Sequence, residues 1–181
     1  GTFHVTRTKY PDLTVENLAV TGPGTGNVVT VSWSIANRGE TNAPSGYTNQ
    51  LLIQNQTTGA TLRNNQFILL DPLPVGISTS YVATITDIPP GSYRVAVAAD
   101  SLEQVYEWQV PCGHDCAEQN TVLTNFAVIQ FYTVTLHPNP LDGGVLTGGG
   151  RFAAGTLVSV SALAETNSKP YFFTNWTESG A

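Results

Sequence analysis

Residues 27–36 read NVVTVSWSIA, with Val29, Val31, Trp33 and Ile35 in one phase and Thr30, Ser32 and Ser34 in the other. A period of two is the pattern of a strand with one face buried and one face in water. Asn37-Arg38-Gly39 ends it with turn residues, and the segment 13–20 before it is bounded by the Gly22-Pro23-Gly24 cluster. The same reading predicts strands at 48–54, 61–69, 80–86 and 92–99, separated by Asn, Gly and Pro groups such as Asp71-Pro72, Pro74 and Pro89-Pro90-Gly91. No segment carries a helical period long enough to bury a stripe. The pattern therefore predicts an all-β fold, an antiparallel β-sandwich of about seven strands. Trp33, in phase with Val29, Val31 and Ile35, belongs to its core and is not an exposed stacking platform.

The pattern changes near Tyr132. A strand at 132–136 leads into HPNPLDGGVLTGGGRFAAGTLVSVSA, where Gly143, Gly144, Gly148, Gly149, Gly150 and Gly155 punctuate very short segments. Glycine runs can cradle phosphate at the start of a helix, but no helix and no Lys-Ser/Thr pair follow, so hairpin turns are the expected use. Leu157, Ser159 and Ser161 alternate with Val158, Val160 and Ala162, which predicts another half-buried strand. The chain thus divides into an arm at 1–10, a sandwich at 11–131 and a small β module at 132–181.

Composition narrows the function classes. Of 181 residues 41% are apolar, enough for a core, while only 11% are charged, less than half the usual quarter. The net charge of −6 with no cluster of Lys or Arg argues against nucleic acid and against charge-driven binding to an anionic membrane. No run of 18 apolar residues exists, so membrane insertion is not expected. The chain lacks both Met and a signal-like N-terminus, and reads as a mature product or an excised piece. An even cysteine pair in a Thr-rich and Asn-rich β protein suits a secreted or cell-surface location.

Candidate chemistry concentrates between Arg94 and Arg151. That stretch has no Lys or Arg but holds six acids, Asp100, Glu103, Glu107, Asp115, Glu118 and Asp142, and both cysteines. Unneutralised carboxylates this close repel one another unless the segment is open to water or a cation lies among them. Asp100, Glu103, Glu107, Glu118 and Asn120 supply the hard oxygen ligands that calcium needs, although the spacing is not that of an EF-hand. The alternatives are a calcium clamp and a solvated acidic loop. Cys112 and Cys116, in CGHDC, can form a local disulfide, remain free, or hold a metal with His114 or Asp115; a loop so short would gain roughly 2 kcal/mol from the disulfide. Tyr106 and Trp108 beside the acids can stack on a sugar or pack on the strands.

Catalysis finds no support. His4, His114 and His137 lie far apart, and neither Gly-x-Ser-x-Gly nor His-Glu-x-x-His occurs. Glu103 and Glu107 would face each other as a glycosidase pair only on a helix, and their segment reads as strand to loop. Asn55-Gln56-Thr57 and Asn175-Trp176-Thr177 match the glycosylation pattern, which discriminates little in so Asn- and Thr-rich a chain.

Three short motifs carry a family resemblance: Pro11-Asp12-Leu13, the turn Asn37-Arg38-Gly39, and the acidic run from Asp100 through Glu107 to Glu118 and Asn120. In this order they resemble the cell-adhesion-related domain found in bacteria, over roughly residues 11–131. The resemblance implies an immunoglobulin-like sandwich on secreted or surface-attached proteins. The insert WQVPCGHDCA between Glu107 and Glu118 departs from the family's pattern, so no role is carried over to it. Residues 132–181 are similar to the internalin-type B repeat through Gly143-Gly144, Phe152, Ala154-Gly155 and the aromatic set Tyr171, Phe172, Phe173 and Trp176. That resemblance implies a small β-grasp-like spacer whose last strands are missing here.

The expected function is a non-catalytic spacer, adhesion or assembly segment of a secreted bacterial surface or fibre protein. Its alternative is a carbohydrate-binding accessory module of a secreted enzyme, working through Tyr106 and Trp108. Expected partners are other copies or neighbouring modules. The alternating arm at 2–9, with Phe3, Val5 and Arg7 on one face, has the form needed to add a strand to another subunit and cover the apolar set near Phe172.

Overall fold

The computed structural model describes residues 3, 4, 6–22, 27–107, 120–166 and 171–178, and among these it contains strands and no helix. The chain forms two compact units, Gly1–Val128 and Ile129–Ala181. The divide falls a few residues before the change of pattern at Tyr132.

The first unit is an immunoglobulin-like β-sandwich of strands β1 (Leu13–Thr21), β2 (Val29–Asn37), β3 (Thr48–Asn55), β4 (Thr61–Ile68), β5 (Ser78–Ile85), β6 (Gly91–Ala98) and β7 (Thr121–Val128). One sheet has the order β1-β2-β5 and the other β4-β3-β6-β7, and every neighbouring pair is antiparallel. The period of two does what it predicts. Val29, Val31, Trp33 and Ile35 of β2 are buried against Leu51 and Ile53 of β3 and Val95 and Val97 of β6. Each such side chain contributes about 1.5–3 kcal/mol on leaving water. Trp33 stacks on Tyr81 at 5.6 Å and meets Phe67 at 5.9 Å, closing the flank between β5 and β4. Ser34 is also buried, because the bulge between Glu16 and Ala19 of β1 folds over it: Asn17, at φ 55°, donates from Nδ2 to Ser34 Oγ at 3.1 Å.

The pairing registers fix which strand ends lie together. Leu13 pairs with Asn37, Ala36 with Ser78, Thr48 with Ile68, and Ala98 with Thr121, so these ends share a proximal pole. Thr21, Ile85, Asn55, Gly91 and Val128 share the distal pole. The strands alternate in direction along the chain, so β1 starts proximally and β7 finishes distally.

In the second unit, β8 (Phe131–Val134) pairs with β10 (Gly150–Ala153), and β9 (Gly144–Thr147) pairs with β11 (Ser161–Ala164). Two expectations change here. Gly148 and Gly149 are not a hairpin turn, since the strands on either side belong to different sheets. Gly148, at φ 97°, has room for no Cβ against the backbone of Ser159 and Val160 and redirects the chain between ladders. The strand expected from Leu157 begins only at Ser161, because β9 ends at Thr147 and offers the preceding residues no partner; Leu157 is 96% exposed. Gly143 closes a turn by donating to Pro140 O at 2.8 Å.

Candidate functional site

The proximal pole gathers the polar interior of the sandwich. Asn37, Thr48, Asn49, Asp100, Glu107 and Asn120 are all buried there. Buried polar groups must find partners, and here the partners are mostly backbone.

Asn37 ends β2 and is fully buried. Its Oδ1 accepts from the amides of Asp12 (3.2 Å) and Gly39 (3.0 Å), and its Nδ2 donates to the carbonyls of Thr41 (2.8 Å) and Leu73 (2.9 Å). The Asn37-Arg38-Gly39 turn then receives the chain ahead of β1: Arg38 N donates to Asp12 O at 2.7 Å and Glu40 N to Tyr10 O at 2.8 Å. The Pro-Asp-Leu start and the Asn-x-Gly turn are thus two halves of one junction.

Asp100 follows β6 at φ 42°, a conformation that short polar side chains tolerate. Its Oδ1 accepts from Gln104 N at 2.9 Å and its Oδ2 from Val105 N at 2.6 Å, while its own amide donates to Asn49 Oδ1 at 3.2 Å. Gln104 Oε1 in turn accepts from Thr48 N at 2.8 Å, which ties this turn to the start of β3. Such charge-assisted bonds as those to Asp100 are the strong ones, about 1.5–3 kcal/mol each. Glu107 is likewise buried; its Oε1 accepts from Leu13 N at 3.1 Å and its Oε2 from Asn120 Nδ2 at 3.3 Å. The carboxylate therefore joins the first strand to residues flanking the segment 108–119. Burial pushes the Tyr47 hydroxyl far up from the usual tyrosine range, with Tyr81, Asp100 and Glu107 adding to it, so this buried hydroxyl stays neutral.

Of the acids expected to hold calcium, Asp100 and Glu107 face inward and accept protein hydrogen bonds, Asn120 meets Glu107, and Glu103 is exposed at φ 53°. Among the described residues no group of three or more His, Cys, Asp or Glu is placed to hold a metal ion. Glu118, Trp108 and the pair Cys112 and Cys116 lie outside the described residues. Tyr106 is half-exposed and packs its ring on Tyr10, centroids 5.2 Å apart. In the arm, Phe3 is 95% exposed and Arg7 pairs with Glu40 at 2.5 Å, while Val5 lies outside the described residues. Glu16 and Arg38 form a two-pronged pair at 2.7 and 2.6 Å, and that bond to Arg38 holds the Glu16 carboxyl below its usual range. Asn37, Asn49 and Gln104 are not legible in the sequence as site residues. The sequence signal for Asn37 is the turn alone.

Removing the Glu107 carboxylate takes an acceptor from Leu13 N and from the Asn120 amide in a dry place. Glu107→Ala is expected to cost roughly 2–4 kcal/mol in urea unfolding, and Glu107→Gln less, because the amide oxygen can still accept from Leu13. A Glu107→Ala loss below about 1 kcal/mol would show that the carboxylate makes no net contribution.

A family model described as CARDB matches residues 10–111, from the residue before the Pro-Asp-Leu start to just beyond Glu107. The match does not reach residues 132–181. Among solved structures, the chain is similar to the CARDB domain of a Pyrococcus furiosus protein crystallised in complex with di-metal ions, at 21% identity and TM-score 0.47 over 67% of this chain and 96% of that one. It is also similar to part of β-glucosidase 3B from Thermotoga neapolitana, at 18% identity and TM-score 0.41 over 65% of this chain and 16% of that one. A third similarity is to a β-D-glucoside glucohydrolase from Trichoderma reesei, at 18% identity and TM-score 0.39 over 65% and 19% of the two chains. No curated protein sequence matches the chain.

Proposed function

This chain belongs to the CARDB family of non-catalytic, adhesion-related or structural domains, and from that premise we propose that it is a load-transmitting spacer in a secreted bacterial surface or fibre protein. The observation that carries the reading is the placement of the two ends of the sandwich. The chain joins β1 at the proximal pole and leaves β7 at the distal pole. Tension applied along the chain therefore runs through the length of both sheets and is met by ladders in shear. At the proximal pole the Asn37 and Glu107 bonds fasten the first strand to the rest of the domain. Residues 132–181 extend the same reading as a second, B-repeat-like spacer. The buried carboxylates of the pole serve this role by bonding backbone amides, and no acid–base pair is needed for it.

Force spectroscopy of the chain, held at its two ends, tests the proposal. The sandwich is expected to give one resisted unfolding event with a length gain of about 35 nm, from the reach of an extended chain over residues 13–128 less the folded span. Extension of this segment without a resisted event would defeat the spacer role.

A further inference from the structure

We propose that β5 pairs with β5 of a second copy, antiparallel about a two-fold axis at Val82, joining two three-stranded sheets into one of six strands. An edge strand presents a row of unused N–H and C=O groups, and proteins guard such edges with charge, proline, bulges or a covering segment. The other edges of this sandwich are guarded. β1 carries Glu16 and a bulge, and lies against β7; β4 carries Arg63 and a bulge of its own at Leu62.

β5 has none of these defences. Its sequence STSYVATI holds no charge, no Pro and no Gly, and its ladder with β2 runs without a break from Val29↔Ile85 to Ala36↔Ser78. Among the described residues its backbone bonds only to β2. Val82, on the face away from the core, is 68% exposed.

The strand is complementary to itself, which argues for a second copy. With the axis at Val82, Val82 meets Val82, Ser80 meets Thr84, and on the core side Tyr81 meets Ala83. A β-branched pair, two hydroxyl pairs and large-against-small packing are favourable cross-strand neighbours. A charge at the axis would meet its own copy, a penalty that this neutral strand escapes.

Sedimentation velocity of the full chain over a concentration series, with reductant present, tests this. A monomer–dimer equilibrium is expected, with a dimer dissociation constant raised about tenfold or more by Val82→Lys, since two cations then meet at the axis. The melting temperature of dilute Val82→Lys should match that of the unchanged chain, which separates lost pairing from lost folding. In a Cys112→Ser, Cys116→Ser background, Val82→Cys should cross-link two copies on oxidation. A chain that stays monomeric throughout overturns the proposal, as does a dimer indifferent to Val82→Lys. So does a dimer that is lost on removing residues 1–9 yet survives Val82→Lys, because the arm would then be the strand that is added.

Discussion

Asn37→Ala is expected to destabilise the sandwich by about 3–4 kcal/mol, among the largest effects of any single side chain in it. Truncation removes two acceptor and two donor contacts of a fully buried side chain, although the partners at Asp12, Gly39 and Thr41 are only partly buried. The amides of Asp12 and Gly39 lose their acceptor, and buried donors cost more to orphan than carbonyls do. The carbonyl of Leu73 keeps a bond from Ala43 N at 2.9 Å, which limits the loss. In a domain of this size the melting temperature should fall by about 10 °C or more. Asn37→Asp sharpens the test, because it keeps the acceptor but points a carboxylate oxygen at the carbonyls of Thr41 and Leu73. Burial and those carbonyls raise the folded pKa of the new acid above its unfolded value, so the added penalty is present at neutral pH and shrinks as pH falls through the folded pKa. Urea unfolding of both variants at pH 7 and pH 5 should show Asn37→Asp recovering stability relative to Asn37→Ala on acidification. A loss under about 1 kcal/mol for Asn37→Ala would mean that the junction holds without this side chain.

The strands of the sandwich are legible because one face is buried and the other wet, which writes a period of two into the sequence: Val29, Val31, Trp33 and Ile35 declare the inner face before any partner is known. The pole is not legible in the same way. Its bonds join residues distant in sequence, Asp12 to Asn37 and Leu13 to Glu107, and periodicity says nothing about such partners. The acids from Asp100 onward stand out by their charge, which suggests a cation or open water. Among the described residues, Asp100 and Glu107 turn their oxygens to backbone and side-chain N–H groups, a role that composition cannot distinguish from ligation. The small second unit is harder still. Its ladders pair β8 with β10 and β9 with β11, so short strands and glycines that suggest successive hairpins are shared between two sheets. With strands of four residues the phase of alternation carries too little information to fix where each begins, as the late start at Ser161 shows.

Gly39→Ala is expected to cost roughly 2–3 kcal/mol for a purely steric reason. A Cβ built there would lie 2.5 Å from the amide N of Asp12, the carbonyl C of Pro11 and the carbonyl O of Tyr10. All three are backbone atoms, so no side chain can rotate away. The bonds from Arg38 N to Asp12 O and from Glu40 N to Tyr10 O hold the two segments together on either side of the contact. Relief would require breaking at least one of them and letting the start of β1 shift from its place. Gly46 is the control. At φ 90° it is in the left-handed region with nothing within 4 Å of a built Cβ, so Gly46→Ala costs only backbone strain, about 1–2 kcal/mol. The two variants should therefore differ in kind as well as size. Gly39→Ala should also speed hydrogen exchange at the amides of Arg38 and Glu40, whereas Gly46→Ala should leave those amides protected. Equal losses with unchanged protection at Arg38 and Glu40 would show that the turn and the start of β1 are not packed as tightly as this contact requires.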